Sequence, residues 1–155
     1  MALLKDILVY ILQEYPYKSE LSNARVTKII YLADWRHVLE NNTQVSTIKW
    51  FFNSYGPFVW DIMETAKNNT DIFDIDETEN LQGQEKRLIV LRNENFQPQL
   101  TKTEKAAIDH IIKVTKPMSW ENFIRLVYST HPIISSERYT HLNLIDKAKE
   151  YQISW

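Results

Sequence analysis

Asp34 is the one acidic residue in VTKIIYLADWRHVL (residues 26–39), a stretch apolar on most of its helical circumference. On a helical wheel it falls between Ile30 and Val38, where burial is expected and a carboxylate needs donors to satisfy it. The favoured reading is a hydrogen-bond anchor of the fold. The alternative is an acid working with a histidine in a cleft. His37, His110, His131 and His141 are the candidates for that partner, but none lies in a His-Glu-x-x-His or other paired spacing that would build a zinc site. Each reads more simply as a helix-edge or capping histidine. The acid-rich DIFDIDETE (residues 71–79) lacks the loop glycine and closing glutamate of a calcium loop, and alternating acids on a strand make a solvated face. No Gly-x-Ser-x-Gly elbow is present, and two glycines in total cannot supply a phosphate-cradling loop or a dinucleotide fingerprint. Arg25, Lys28 and Arg36 share one narrow helical stripe, the best basic feature for nucleic acid. Three cations among acids such as Glu20 and Glu40 more simply form a solvated face, because affinity for DNA needs many phosphate contacts.

The totals narrow the classes further. A chain of 155 residues can bury a real core, so a single domain over residues 1–155 is expected. Cysteine is absent, which removes disulfides, thiolate metal sites and cysteine nucleophiles. A formal charge of −2 creates no global basic field toward nucleic acid or anionic lipid. The apolar run Ile7–Leu12 is too short and wrongly flanked for a secretory signal, and nothing approaches the roughly 20 apolar residues of a membrane span. The expected location is therefore cytoplasmic, and the Asn-x-Thr sequons at Asn41 and Asn68 read as loop residues.

The elements that would position these side chains follow from periodicity. Leu4, Ile7, Leu8 and Ile11 predict a helix over Leu3–Tyr15, ended by Pro16. Ser22 is placed to cap a helix from Asn23 to Glu40, apolar on most of its circumference and therefore central. The β-branched and aromatic VSTIKWFF predicts a strand over Ser46–Phe52, with Ile48, Trp50 and Phe52 on one face and Thr47, Lys49 and Phe51 on the other. Tyr55-Gly56-Pro57 then reads as a strand-to-helix corner. Gly56 can take unusual backbone angles, Pro57 suits the first helical position, and a helix runs to Lys67. Tyr55 and Trp50 would pack that corner on the central helix. Two strands follow, Ile72–Asp76 and Arg87–Arg92, joined by a polar loop with Gly83; the continuous apolar run Leu88–Leu91 is expected inside the sheet. Thr101 and Glu104 form a capping box for a helix stopped at Lys116-Pro117. Ser119 caps another helix, with Met118 and Phe123 as its hydrophobic staple and His131-Pro132 as its end. Asn143 is placed to cap a last short helix. The expected fold is mainly helical α+β, about six helices around a small three-stranded, mostly antiparallel sheet.

Two segments together resemble a known family. RVTKIIYLADW (residues 25–35) followed by IKWFFNSYGPFV (residues 48–59) is similar to the Panacea domain, the SocA-like and phage-associated GepA-like antitoxins. The hallmark is a Lys-apolar-apolar-Tyr helix, a strand bearing an aromatic, then Tyr-Gly-Pro. Here it falls on Lys28, Tyr31, Trp50, Tyr55, Gly56 and Pro57. The resemblance implies a mainly helical α+β domain with a small antiparallel sheet. It further implies a non-catalytic antitoxin that neutralises the toxin of an adjacent gene by direct protein contact. Proteolytic-adaptor behaviour is also associated with the family, and no catalytic residues, cofactor or metal come with it.

The leading expectation is accordingly a protein-binding module, with a cognate toxin as partner, no membrane partner and nucleic acid disfavoured; a homo-oligomer is left open. A nucleic-acid-associated regulator using Arg25, Lys28 and Arg36, and an enzyme built on Asp34, are the alternatives. Phe51 and Trp60 are the aromatics expected to reach the surface as partner anchors, with Arg25 and Arg36 as accompanying cations.

Overall fold

The computed structural model describes residues 1–79, 83 and 85–153. In chain order it comprises α1 (Leu4–Glu14), a short 3-10 turn (Lys18–Glu20), α2 (Asn23–Asn41), β1 (Trp50–Asn53) and β2 (Gly56–Phe58). Then come α3 (Asp61–Asn68), β3 (Phe73–Glu79), β4 (Glu85–Leu91), α4 (Lys102–Thr115), α5 (Trp120–Tyr128), α6 (His131–Ile134), β5 (His141–Leu142) and α7 (Leu144–Ile153). The fold is mainly helical α+β, as expected. β1 sits between β2 and β5 in an antiparallel three-stranded sheet, and β3 and β4 form a separate antiparallel ribbon.

α2 is the central helix. Val26, Ile29, Ile30, Ala33 and Val38 are buried along it, and α1, α3, α4, α7, β2 and β4 pack around it. Its start is fixed by Ser22, whose Oγ accepts from the Arg25 N–H at 3.2 Å, and its end by Asn42 in the left-handed region at φ 62°. The other sequence-predicted caps are present too. Thr101 and Glu104 make both bonds of the capping box, the Ser119 Oγ accepts from the Asn122 N–H, and the Asn143 Oδ1 accepts from the Asp146 N–H at 3.0 Å.

Several expectations are corrected. No helix begins at Pro57: Gly56 and Pro57 belong to β2, opposite Asn53 and Phe52, and the helix starts at Asp61. Ser54 and Tyr55 form the hairpin turn, with Tyr55 85% exposed rather than packed on α2. Pro57 is tolerated because β2 is an edge strand. Next, the predicted strands at 72–76 and 87–92 do not join the strand at Trp50. Leu88–Leu91 lies in a two-stranded ribbon whose other edge meets Leu21 and Ser22, through a Ser22–Leu88 bridge and an Ile89 N–H to Leu21 O bond of 3.1 Å. The sheet's remaining strands are instead β2 and β5. The polar loop expected between β3 and β4 falls largely on residues 80–82 and 84, outside the described residues. Finally, His131-Pro132 opens α6 instead of ending α5, with the proline in the first turn where its missing N–H costs nothing.

Between α2 and β1 the chain is a strap, not a strand. Residues 46–49 keep the predicted alternation, Ile48 inward and Thr47 and Lys49 exposed, but side chains take their hydrogen bonds: the Gln44 amide donates to Ser46 O and Ile48 O, the Ile48 N–H donates to Ser46 Oγ, and Asp34 holds Ser46. Asp34 is fully buried and accepts from the Ser46 N–H at 2.9 Å, the Trp50 Nε1–H at 2.9 Å, the Gln44 amide at 3.3 Å and the Ser46 hydroxyl. The Trp50 ring also packs edge-on against Tyr31, 5.5 Å between centroids, and the Tyr31 hydroxyl bonds Thr130 at 2.8 Å. Burial pushes the Asp34 carboxyl up to about 7, while its donors pull the other way.

Asp34→Asn leaves one of these donors facing an amide N–H, and should cost about 1–3 kcal/mol for the orphaned group, read as a shift in urea midpoint at pH 8. The Trp50 indole N–H resonance should titrate with a midpoint near pH 7. Because the folded pKa lies above the ordinary 3.8, Asp34's own contribution to stability is greatest below that value and falls as pH rises through about 7. Asp34→Asn should abolish that slope.

Candidate protein-interaction surface

The strand that pins Trp50 inward presents Phe51 outward. Phe51 lies directly opposite Phe58 on β2 and His141 on β5, so the three side chains share the outer face of the sheet. The Phe51 and His141 rings meet edge-on at 5.2 Å, and Phe58 meets Trp60 edge-on at 5.0 Å. The result is a row, Trp60–Phe58–Phe51–His141, with Phe51 and Phe58 half-buried and Trp60 72% exposed. Lys49 is exposed two residues before Phe51 on the same side of the alternation. At the hairpin tip Tyr55 stands free, and Tyr139 bonds Ser54 through its hydroxyl at 2.9 Å while its N–H donates to Phe52 O. Tryptophan, tyrosine and phenylalanine held by a sheet suit an interface: large contact area with few torsions to freeze.

The tight hairpin depends on Gly56, whose φ of 105° is a conformation other residues rarely adopt. On its far side the Tyr128 ring lies 3.6 Å from where a Cβ would stand, an ordinary contact. Gly56→Ala should therefore cost about 1–3 kcal/mol of backbone strain and no clash, seen as a lower urea midpoint.

The expected basic stripe does not form one surface. Arg25 is 4% exposed: its guanidinium donates to the Tyr15 hydroxyl at 2.9 Å, lies 3.9 Å from Glu20 and stacks over Phe123 at 4.8 Å and Trp120 at 5.6 Å. Lys28 is also buried, and Arg36 pairs with Glu40 at 2.7 Å. A helix wrapped on nearly all sides has no solvated stripe to offer. A helical wheel gives which residues share an angle, and the packing of Trp120 and Phe123 of α5 over Arg25 decides that the start of the stripe is covered. The Asp34 enzyme fares no better. Its carboxyl is sealed from solvent, and no histidine is among its partners. His37 is spent bridging Thr43 O and the Thr103 hydroxyl.

Of the motif residues, Tyr31, Trp50, Gly56 and Pro57 build the hairpin and its seat on α2, whereas Tyr55 is at the surface. Phe58, His141 and Tyr139 were not singled out from sequence. Phe51 and Phe58 are symmetric about Ser54-Tyr55, which is hairpin spacing, but Pro57 reads as a helix start and hides it. His141 comes from ninety residues further along the chain, a pairing no local pattern reveals.

Among the described residues no helix is long and apolar enough to cross a membrane, and no cluster of three or more His, Cys, Asp or Glu could hold a metal ion. Among known families, the one described as antitoxin SocA-like, Panacea domain matches residues 26–132, from the first turn of α2 into α6. No curated protein and no solved structure gives a significant match. The match spans the Asp34 pin, the β1–β2 hairpin and the ribbon, and leaves β5 and α7 outside it. This chain belongs to the SocA-like antitoxin family of Panacea domains.

Proposed function

We propose that this protein is a cytoplasmic antitoxin that neutralises the toxin of an adjacent gene by direct contact, without catalysis or cofactor, and that the toxin docks on the outer face of the three-stranded sheet. Family membership supports the antitoxin role and, in general terms, a protein partner. The observation that carries the surface is the row Trp60–Phe58–Phe51–His141, an aromatic face supported from behind by the buried Trp50 and Phe52. Rigid backing matters because an anchor already held in place loses little freedom on binding. Phe51 and Trp60 are the anchors; Arg25 and Arg36 are committed to intramolecular partners, so the reading does not rest on them.

The test is to express the neighbouring gene's product with the wild-type protein and with the Phe51→Ala, Trp60→Ala double variant. Wild type should restore growth and bind the toxin directly. Each truncation should cost about 2 kcal/mol or more, roughly 30-fold in Kd, with the melting temperature little changed because the side chains lie outside the core. A neighbour that is harmless alone removes the antitoxin role. A double variant that neutralises as well as wild type removes this surface.

A further inference from the structure

The fold supplies its other buried ionisable side chains with partners. Asp6 accepts from the Gln99 N–H at 3.1 Å, Glu104 from the Thr101 N–H at 2.8 Å, and Arg25, Asp34 and His37 are bonded as described. Lys28 is the exception. It is 6% exposed, and among the described residues its ammonium has no hydrogen-bond or ion-pair partner. A cation so little exposed and without a counterion carries a desolvation penalty that no group of the free protein offsets. Burial alone holds its pKa down at about 8, with no charged neighbour contributing. Hydrophobic packing would have been served better by leucine or methionine.

The position explains how a ligand could reach it. Three residues before Lys28, Arg25 lies under Phe123 and Trp120 of α5; three residues after it, Tyr31 bonds Thr130; seven after, Trp35 stacks on His131. Lys28 thus lies on the face of α2 that α5 and α6 cover. Side chains on a helix lean toward its N-terminus, over the preceding turn. For Lys28 that turn carries Ala24, which is exposed. Its Nζ is not among the sealed polar atoms and so keeps some contact with solvent.

We infer that Lys28 is the seat for a carboxylate presented by the protein partner, an aspartate, glutamate or chain terminus that enters beside Ala24 at the start of α2. The inference rests on the antitoxin reading and adds the chemistry of one contact. A single compact ammonium with three donors matches a singly charged carboxylate; a phosphoryl group would call for more donors. Arg25, one turn away, is already held by Tyr15 and Glu20 and does not compete. So little of Lys28 reaches solvent that only the end of a group can enter, the rest remaining outside, as a side chain on a partner's surface does. The aromatic face would supply contact area, and Lys28 would set register, since a toxin without the carboxylate leaves the cation buried and unpaired.

Lys28→Met keeps the aliphatic volume and removes the charge. The free variant should melt at or above the wild-type temperature, and should bind the neighbouring gene's toxin at least about tenfold more weakly. In protein labelled at lysine 13Cε, acetate should shift the Lys28 resonance saturably, and chloride at equal ionic strength should not. Unchanged affinity in Lys28→Met overturns the inference, as does a lowered melting temperature, which would mark Lys28 as a structural group. If the wild-type protein itself does not bind the toxin, the antitoxin reading has failed instead. The acetate titration then decides the Lys28 site on its own, a saturable shift sustaining it and a flat response removing it.

Discussion

A carboxylate with no access to water must find its donors inside the protein, and Asp34 finds them on the segment that follows its own helix. That one requirement closes the connection from α2 to β1. The Ser46 N–H and hydroxyl, the Gln44 amide and the Trp50 indole converge on two oxygen atoms, so the strap cannot slide along the helix without abandoning a buried charge. Once Trp50 is placed, strand alternation leaves no freedom for its neighbours. Phe52 must also point inward and Phe51 outward, because a one-residue slip would exchange the two faces.

The outer face is therefore a consequence of the inner one. β2 folds back from β1 through the Gly56 hairpin, and Tyr139 and His141 lay β5 along the opposite edge. Each neighbour adds an aromatic ring beside Phe51. The same sheet thus separates stability from recognition: Trp50 and Phe52 hold the fold together, while Phe51, Phe58 and Trp60 remain available to a partner. Lys28 departs from this separation. It is a charge kept where the folded chain alone gains nothing from it, the kind of local conflict with stability that accompanies binding sites.

Much of this architecture was legible in the sequence because it is written in local chemistry. Ser22, Thr101 with Glu104, Ser119 and Asn143 start helices through contacts three residues away. The near-complete apolar circumference of residues 26–38 marks the central helix without reference to what surrounds it. Asp34 could be recognised as an anchor because a lone acid on a buried face has few other physical outcomes. Phe51 could be nominated for the surface from alternation alone, whereas the helical angle used for Trp60 belonged to a helix that starts only at Asp61.

What the tertiary structure decided are the matters that depend on distant partners. Whether Arg25, Lys28 and Arg36 form a solvated stripe depended on tertiary packing: α5, about a hundred residues later, covers Arg25, and Lys28 is buried too. Pro57 is equally compatible with a helix start and an edge strand, and the choice was made by the register of β1 against β2, Phe51 opposite Phe58 and Phe52 opposite Pro57. β5 is two residues long and carries no strand signal of its own; it exists because β1 offers an unpaired edge. Sequence by itself determined the helices, their caps and the buried acid, since these are set by neighbours within a turn. The sheet's membership, the aromatic row and the unpartnered lysine were decided in three dimensions, where the identity of a neighbour is independent of its place along the chain.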